Sequence, residues 1–114
     1  MITFACRTIK KEDVVKCSLN LNKTEYNILN FFFKNSGSYS PLQISKKMKL
    51  ERTTVQKALK GLVRKNLVIR KKKNLKRGGY VFLYETIDKE KIKEKIKNII
   101  SKWHKGAIEK IDEL

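Results

Sequence analysis

The sequence is poor in residues that interrupt or crosslink a chain. Its 114 residues include one proline, five glycines, two cysteines and one histidine. Two cysteines do not make a disulfide framework, and together with one histidine they do not make a zinc site. No apolar run approaches the roughly 18 residues of a membrane span. The apolar stretch over 2–6 is too short for a signal peptide and is soon followed by charged residues. We therefore expect an intracellular protein.

Acidic residues are scarce as well. The chain has 11 of them against 28 lysines and arginines, a net charge of +17. Residues 46–77 hold 14 basic residues and one acid, a net +13, whereas residues 88–114 carry only +2. Such a block attracts a polyanion, nucleic acid first and an anionic membrane surface second. We therefore expect a cytoplasmic, nucleoid-associated protein. A charge run is usually a solvated face, but this one coincides with a helix-turn-helix pattern.

Two helix starts are visible in the sequence. Asn22 and Glu25 have the spacing of a capping box, which predicts a helix over 23–34. Ser40 followed by proline predicts a short helix over 41–48, with Leu42, Ile44 and Met48 pointing inward.

A third helix is predicted from Arg52 to about residue 66. Its apolar residues recur at helical spacing and predict a buried stripe of Val55, Leu59, Leu62 and Val63. A short helix, a tight turn and a longer helix with a basic outer face are typical of a helix-turn-helix.

A hairpin is predicted to follow directly. Residues 67–71 and 80–84 have strand patterns, and the segment 72–79 between them is a loop rich in lysine, arginine and glycine. The order of elements predicts a mainly helical α+β fold, a winged helix-turn-helix.

The last segment, 88–114, predicts a long helix capped by Asp88. Its apolar stripe would be buried against the same helix of a second subunit, or by folding back onto the helix over 23–34. The predicted dimer interface consists of Ile92, Ile96, Ile99, Ile100, Trp103, Ala107 and Ile111. We expect three regions: an N-terminal arm or short helix over 1–19, a DNA-binding domain over 20–87 and a dimerisation helix over 88–114.

Three stretches resemble archaeal winged-helix transcription regulators of the TrmB and MarR type. They are CSLNLNKTEYNILNFF, LQISKKMKLERTTVQKALKGLVRKNLVIRKKK and RGGYVFLYE, and the resemblance covers about 17–114. It implies that TTVQKALKGLVRKNLV is the recognition helix with the first wing strand. Larger TrmB relatives carry a C-terminal sugar-binding domain; we expect none here, so the resemblance does not imply effector binding of that kind. Glu51 stands where the family often has serine, so no contact is expected there.

The predicted function is a sequence-specific, double-stranded-DNA-binding regulator that acts as a homodimer. The recognition helix, about 52–66, would lie in the major groove, and the basic wing, about 71–79, on the backbone or minor groove. Arg52 and Gln56 would read guanine and adenine, with thymine touched by neighbouring threonine methyls. The predicted DNA-binding residues are Gln43, Lys46, Lys47, Arg52, Thr53, Thr54, Gln56, Lys57, Lys60, Arg64, Lys71, Lys72, Lys73, Lys76 and Arg77.

Other functions remain open on the sequence. The protein could be an architectural, chromatin-like DNA-binding protein, or a redox-responsive regulator using Cys6 and Cys17. Against the second, we expect both thiols to be small buried groups. RNA binding is disfavoured because the basic face lacks an aromatic stacking platform. We expect no cofactor and no catalytic constellation.

Overall fold

The computed structural model describes the backbone of residues 2–4 and 7–114 and the side chains of residues 8–114. The elements in chain order are β1 (Ile2–Phe4), β2 (Arg7–Ile9), α1 (Lys11–Leu19), α2 (Lys23–Lys34), α3 (Pro41–Met48), α4 (Arg52–Arg64), β3 (Val68–Asn74), β4 (Tyr80–Thr86) and α5 (Lys89–Asp112). The predicted winged helix-turn-helix with a long C-terminal helix is confirmed. The chain forms two compact units, Asn22–Ile87, and Met1–Leu21 with Asp88–Leu114.

The core of the Asn22–Ile87 unit lies between α2, α3 and α4. Its completely buried side chains are Ile28, Leu29, Ile44, Val55, Leu59 and Leu62. The predicted stripe of α4 is confirmed, except that Val63 is only half-buried. The inward orientation predicted for Leu42 is wrong, since this side chain is 45% exposed. Leu42 stands two residues from buried Ile44, about 200° around the helix, and so points away from the core.

Capping boxes begin two of the helices. The Asn22 side chain accepts a hydrogen bond from the Glu25 N–H at 2.8 Å, and Glu25 Oε1 accepts one from the Asn22 N–H at 3.0 Å. The predicted box is confirmed. In α3, Ser40 Oγ accepts from the Gln43 N–H at 3.2 Å, and Gln43 Oε1 accepts from the Ser40 N–H at 2.8 Å. The sequence reasoning predicted the Ser40 cap but missed the reciprocal bond.

The buried carboxylate of Glu25 has a second partner. Lys65, at the end of α4, places its Nζ 2.9 Å from Glu25 Oε1. Gly61 lies beside the same carboxylate, and a Cβ at this position would overlap Glu25 Oε2. The start of α2 and the end of α4 are thereby joined through one charged group.

The wing hairpin is longer than its sequence predicts. Antiparallel pairing of β3 and β4 continues as far as Asn74 opposite Tyr80, so Lys72 and Lys73 belong to a strand. The predicted loop start at Lys72 is therefore wrong. The sequence reasoning ended the strand where the lysines accumulate, but the outer part of the hairpin is exposed, and strand residues there can be charged. Only residues 75–79 form the turn.

In the second unit, β1 pairs antiparallel with β2, and α1 packs against α5. The sequence predicted an N-terminal arm or a short helix over 1–19, and the structure has helix α1 there, preceded by β1 and β2. Asp88 caps α5 as predicted, its side chain accepting from the Glu90 N–H at 3.2 Å. No helix within the described residues is long and apolar enough to cross a membrane.

The apolar stripe of α5 divides into a buried and an exposed part. Ile92 is 1% exposed, so its assignment to a dimer interface is wrong: its own chain already covers it. Ile96 and Ala107 are half-buried. The exposed part is headed by Trp103, which is 64% exposed, and also contains Ile99, Ile100, Ile108 and Ile111.

Replacing glycine by alanine should have opposite effects on stability at Gly61, which lies beside Glu25, and at Gly106, which does not. Gly106→Ala, on the exposed surface of α5 with open space around it, should raise the free energy of unfolding by up to about 1 kcal/mol through helix propensity. Gly61→Ala should instead lower it by roughly 1–3 kcal/mol, because the methyl displaces a buried, hydrogen-bonded carboxylate. Urea denaturation followed by circular dichroism measures both.

A double mutant tests the cause. In a Glu25→Ala background the overlap is gone, so Gly61→Ala should cease to destabilise. Equal stabilisation by both glycine substitutions in the wild-type background would show that the carboxylate moves aside without cost.

Candidate nucleic-acid interface

Helix α4 exposes one polar, basic face. Its inner face is held by the apolar core, which leaves the other side of the helix in solvent. Arg52 and Gln56 stand one turn apart on that side, with Thr53 and Lys57 beside them. The exposed predicted residues of α4 are Arg52, Thr53, Thr54, Gln56, Lys57, Lys60 and Arg64. The structure therefore brings the predicted reading residues together.

Thr54 lies at the edge of this group, on the side of α2. It follows Thr53 by about 100° around the helix and, together with Lys57, lines a shallow cleft with Asn22 and Thr24 at the start of α2. Of the two threonines, Thr53 lies nearer to Arg52 and Gln56 around the helix.

The turn before α4 is held by side-chain and backbone hydrogen bonds. Lys49 ends α3 in the left-handed conformation, with φ of 55°. The Leu50 N–H donates to the Ser45 carbonyl at 3.1 Å, and Ser45 Oγ donates to the Leu50 carbonyl at 2.6 Å. Glu51 occupies the N-cap of α4 without a side-chain cap bond. These contacts set the direction in which α4 leaves α3.

The predicted residues of α3 lie at its two ends. Lys46 and Lys47 are exposed in the last turn, and Lys47 Nζ lies 5.7 Å from the centroid of the Tyr39 ring. Gln43 is exposed in the first turn, but its side-chain oxygen is engaged in the capping box.

The wing tip is a tight, exposed turn. Leu75 N–H donates to the Gly79 carbonyl at 3.0 Å, and Gly78 N–H to the Leu75 carbonyl at 3.1 Å. Gly78 and Gly79 have φ of 92° and 77°, a backbone conformation that residues with a side chain rarely adopt. Lys76 and Arg77 occupy the turn itself, and every residue of 71–80 is exposed.

Lys71 has an acidic partner that the sequence did not reveal. Its ammonium group forms an ion pair with Glu85 of β4. Ser38 Oγ donates a second hydrogen bond to the Glu85 carboxylate, at 2.9 Å. The hydrogen bond from Lys71, followed by that from Ser38, lowers the pKa of Glu85 below its ordinary value. Lys71 is thus partly neutralised, unlike Lys72 and Lys73.

The expectation that the basic face lacks an aromatic platform is wrong. The Arg70 guanidinium carbon lies 4.4 Å from the centroid of the Phe82 ring, and Lys72 Nζ lies 4.1 Å from that of Tyr80. The two rings meet edge to face, with centroids 5.2 Å apart. Strand alternation in β4, together with the register to β3, could have indicated this row.

The remaining chemical candidates are placed differently from expectation. Cys17 is exposed on α1, so the prediction that it is buried is wrong, and Cys6 lies outside the described residues. Among the described side chains, no group of three or more histidine, cysteine, aspartate or glutamate residues could hold a metal ion.

The model of the DnaD N-terminal domain family matches residues 9–107 of this chain. The chain belongs to that family. It is similar to the uncharacterised protein MJ1082 of Methanocaldococcus jannaschii, with 32% identity over 94% of this chain and 90% of the relative.

Solved structures agree on the fold. The chain resembles a possible transcriptional regulator from Methanosarcina mazei, with a TM-score of 0.91, 36% identity and coverage of 99% of this chain and 95% of the other. It also shares its fold with MepR of Staphylococcus aureus, a MarR-family protein solved bound to an oligodeoxyribonucleotide. There the TM-score is 0.59, with 17% identity over 87% of this chain and 72% of MepR. The predicted resemblance to archaeal winged-helix regulators is confirmed.

The Glu85 cluster predicts a pH dependence of stability. Because the folded-state pKa lies below that of the unfolded chain, the cluster stabilises the fold above the ordinary carboxylate pKa of 4.5. That contribution is lost as the pH falls through the lowered folded value. It should amount to about 0.2–1 kcal/mol, since Lys71 is largely exposed.

Urea denaturation of the wild type and Glu85→Gln at pH 6 and at pH 3 measures this difference. The difference in the free energy of unfolding between the two proteins should be smaller at pH 3 than at pH 6. Lys71→Met should reproduce the loss at the higher pH. A difference between wild type and Glu85→Gln that persists unchanged at pH 3 would contradict the role of the ionised carboxylate.

Proposed function

We propose that this protein is a sequence-specific, double-stranded-DNA-binding transcription regulator that acts as a homodimer. The observation that carries the proposal is the outer face of α4, where Arg52, Gln56 and Lys57 stand exposed on a helix held rigidly by its apolar side. The similarity to the possible transcriptional regulator from Methanosarcina mazei, with 36% identity over 99% of this chain, supports the proposal.

Phosphate contacts would supply most of the affinity. The net charge of +13 over 46–77 lies on α3, α4 and the wing. The free side chains of the wing tip, Lys76 and Arg77, are suited to the backbone or minor groove, whereas Lys71 contributes less because it is paired with Glu85. The full set proposed to contact the backbone is Gln43, Lys46, Lys47, Lys57, Lys60, Arg64, Lys71, Lys72, Lys73, Lys76 and Arg77.

Base reading would fall to the first two turns of α4. Arg52 can donate two hydrogen bonds to guanine, and Gln56 can pair with adenine, both in the major groove. The methyl group of Thr53 lies beside them and suits a thymine methyl. Glu51 stands at the entrance to this face, where its charge repels the backbone and so favours one approach of the helix over others.

The exposed stripe of α5 would form the dimer. Trp103, Ile99 and Ile111 are apolar and at least 40% exposed on one side of the helix. Two such stripes packed together would bury the surface that a single chain leaves in water. The low net charge of residues 88–114 lets two copies approach each other despite the strongly basic block elsewhere.

Single substitutions on α4 should separate reading from anchoring. Arg52→Ala should weaken binding to a selected duplex by about 1–3 kcal/mol and relax the preference at one base pair. Lys57→Ala should weaken binding to selected and random duplexes equally. It should also reduce the slope of log affinity against log salt concentration by about 1. Fluorescence anisotropy against a duplex obtained by in vitro selection measures both.

Lys34→Ala is the matched control, because it removes the same charge from an exposed position outside the basic block. It should change affinity little. If random duplex displaces the selected duplex equally well from the wild type, the protein coats DNA without reading it, and the proposed regulator function fails.

The proposed dimer is tested on α5. Ile99→Asp with Trp103→Asp should convert a dimer to monomers, because two carboxylates would have to be buried without partners. The control pair Asn98→Asp and Ser101→Asp adds the same charge to exposed positions on the other side of the helix. Light scattering should report monomers for the first pair and dimers for the second; an unchanged mass for both would remove α5 from the interface.

A further inference from the structure

We propose that the aromatic face of the wing hairpin binds unpaired DNA bases by stacking, separately from the duplex contacts of α4. This surface consists of Arg70, Lys72, Tyr80 and Phe82. The stacking argument stands on the geometry of the hairpin alone, while the choice of DNA over RNA rests on the proposed function.

The register of the hairpin places these four side chains on one face. Lys72 is paired with Phe82, and Arg70 with Tyr84, two residues along each strand. Cross-strand partners project to the same side of a pleated sheet, and residues two apart share that side. Arg70, Lys72, Tyr80 and Phe82 therefore form one continuous row of alternating cations and rings.

The row is available to a ligand. Tyr80 is 53% exposed even with Lys72 over its ring, Arg70 and Lys72 are exposed beside it, and Phe82 is half-buried. A tyrosine ring of this exposure, with a second ring in edge contact at 5.2 Å, is a large apolar surface for the outer part of a hairpin.

The charges of the two wing faces differ. Glu85 lies on the opposite face, where it is paired with Lys71 and is opposite Ile69 in the register. On the aromatic face the cations are held over ring faces, at 4.4 Å and 4.1 Å, and none of the paired strand positions there carries a carboxylate. This face is both the more cationic and the more aromatic of the two.

An aromatic row with interleaved cations fits a single strand better than a duplex. The bases of a duplex are stacked on one another, so their flat faces are closed to a ring approaching from outside. In a single strand the faces are open, and a base can stack on a tyrosine ring or on an arginine guanidinium. Phosphates between successive bases would meet Lys72 and the basic wing tip.

The test compares the full chain with a Tyr80→Ala variant on three labelled probes, by fluorescence anisotropy. The probes are oligo-dT of about 12 nucleotides, an abasic oligomer of the same length, and the selected duplex. Tyr80→Ala should weaken oligo-dT binding by roughly 5- to 150-fold, the loss of about 1–3 kcal/mol for one stacked base. The affinities of the variant for the abasic oligomer and for the duplex should stay within about 2-fold of the wild-type values.

Two further variants complete the test: one keeps the ring at position 80, and the other changes α4 instead of the wing. Tyr80→Phe keeps the ring and should retain oligo-dT binding. The double variant Arg52→Ala with Gln56→Ala should bind the duplex more weakly and should bind oligo-dT as the wild type does. Because the abasic probe has the phosphates but not the bases, it separates stacking from charge and from any general loss of folding.

Each other outcome overturns the inference. Oligo-dT binding that does not depend on Tyr80 removes the stacking role, and an equal loss on the abasic oligomer makes the contact electrostatic. An equal loss of affinity for the duplex makes Tyr80 part of the duplex contact. A fourth probe, oligo-U of the same length, tests the choice of DNA: wild-type binding that is tighter to oligo-U than to oligo-dT by about 10-fold or more rejects DNA as the ligand. Normal duplex binding by the wild type alongside a failed oligo-dT result leaves the proposed regulator function intact. If the wild type does not bind the duplex, that function fails, and the stacking inference is then decided by the oligo-dT, abasic and oligo-U probes.

Discussion

The carboxylate of Glu25 joins the two helices on which the Asn22–Ile87 unit is built. It closes the capping box of α2, accepts a charged hydrogen bond from Lys65 and occupies the space left by Gly61. A buried carboxylate is tolerated only when its oxygens have such partners, so the approach of α2 to the end of α4 is closely defined. Strand β3 begins shortly after Lys65, and the proposed reading face of α4 lies on the side turned away from this contact. This charged contact adds a specific constraint to the apolar packing that holds α4, at the end of the helix from which the wing continues.

The alternation of a β-hairpin sorts a single run of basic residues into two chemically different surfaces. Along β3, Arg70 and Lys72 project to the side of the aromatic rings, while Lys71 projects to the side of Glu85. Consecutive lysines therefore have unlike partners: one is held by a carboxylate and the other by a ring. A charge count along the sequence treats them as equivalent, and the pleat makes them distinct.

Helix α5 shows how an apolar stripe can serve two purposes along its length. Its first part is covered within the chain, as the burial of Ile92 shows, and α1 packs against this helix. Farther along, Trp103 and Ile111 remain in solvent. Periodicity alone predicts one continuous stripe, because the spacing of apolar residues carries no information about which neighbour covers them. Helix α1, in the segment for which the sequence predicted only an arm or a short helix, is one neighbour that packs against α5.

The sequence by itself determined the elements and their faces: the capping residues marked the starts of α2 and α3, and helical spacing identified the core side of α4. These signals are local, depending on residues three or four apart, and so can be seen in one dimension. Only the tertiary structure decided the partners of charged and aromatic side chains. Lys65 meets Glu25 across 40 residues, Ser38 meets Glu85 across 47, and Arg70 meets Phe82 through strand register. Such contacts depend on how distant segments pack, which no local pattern records.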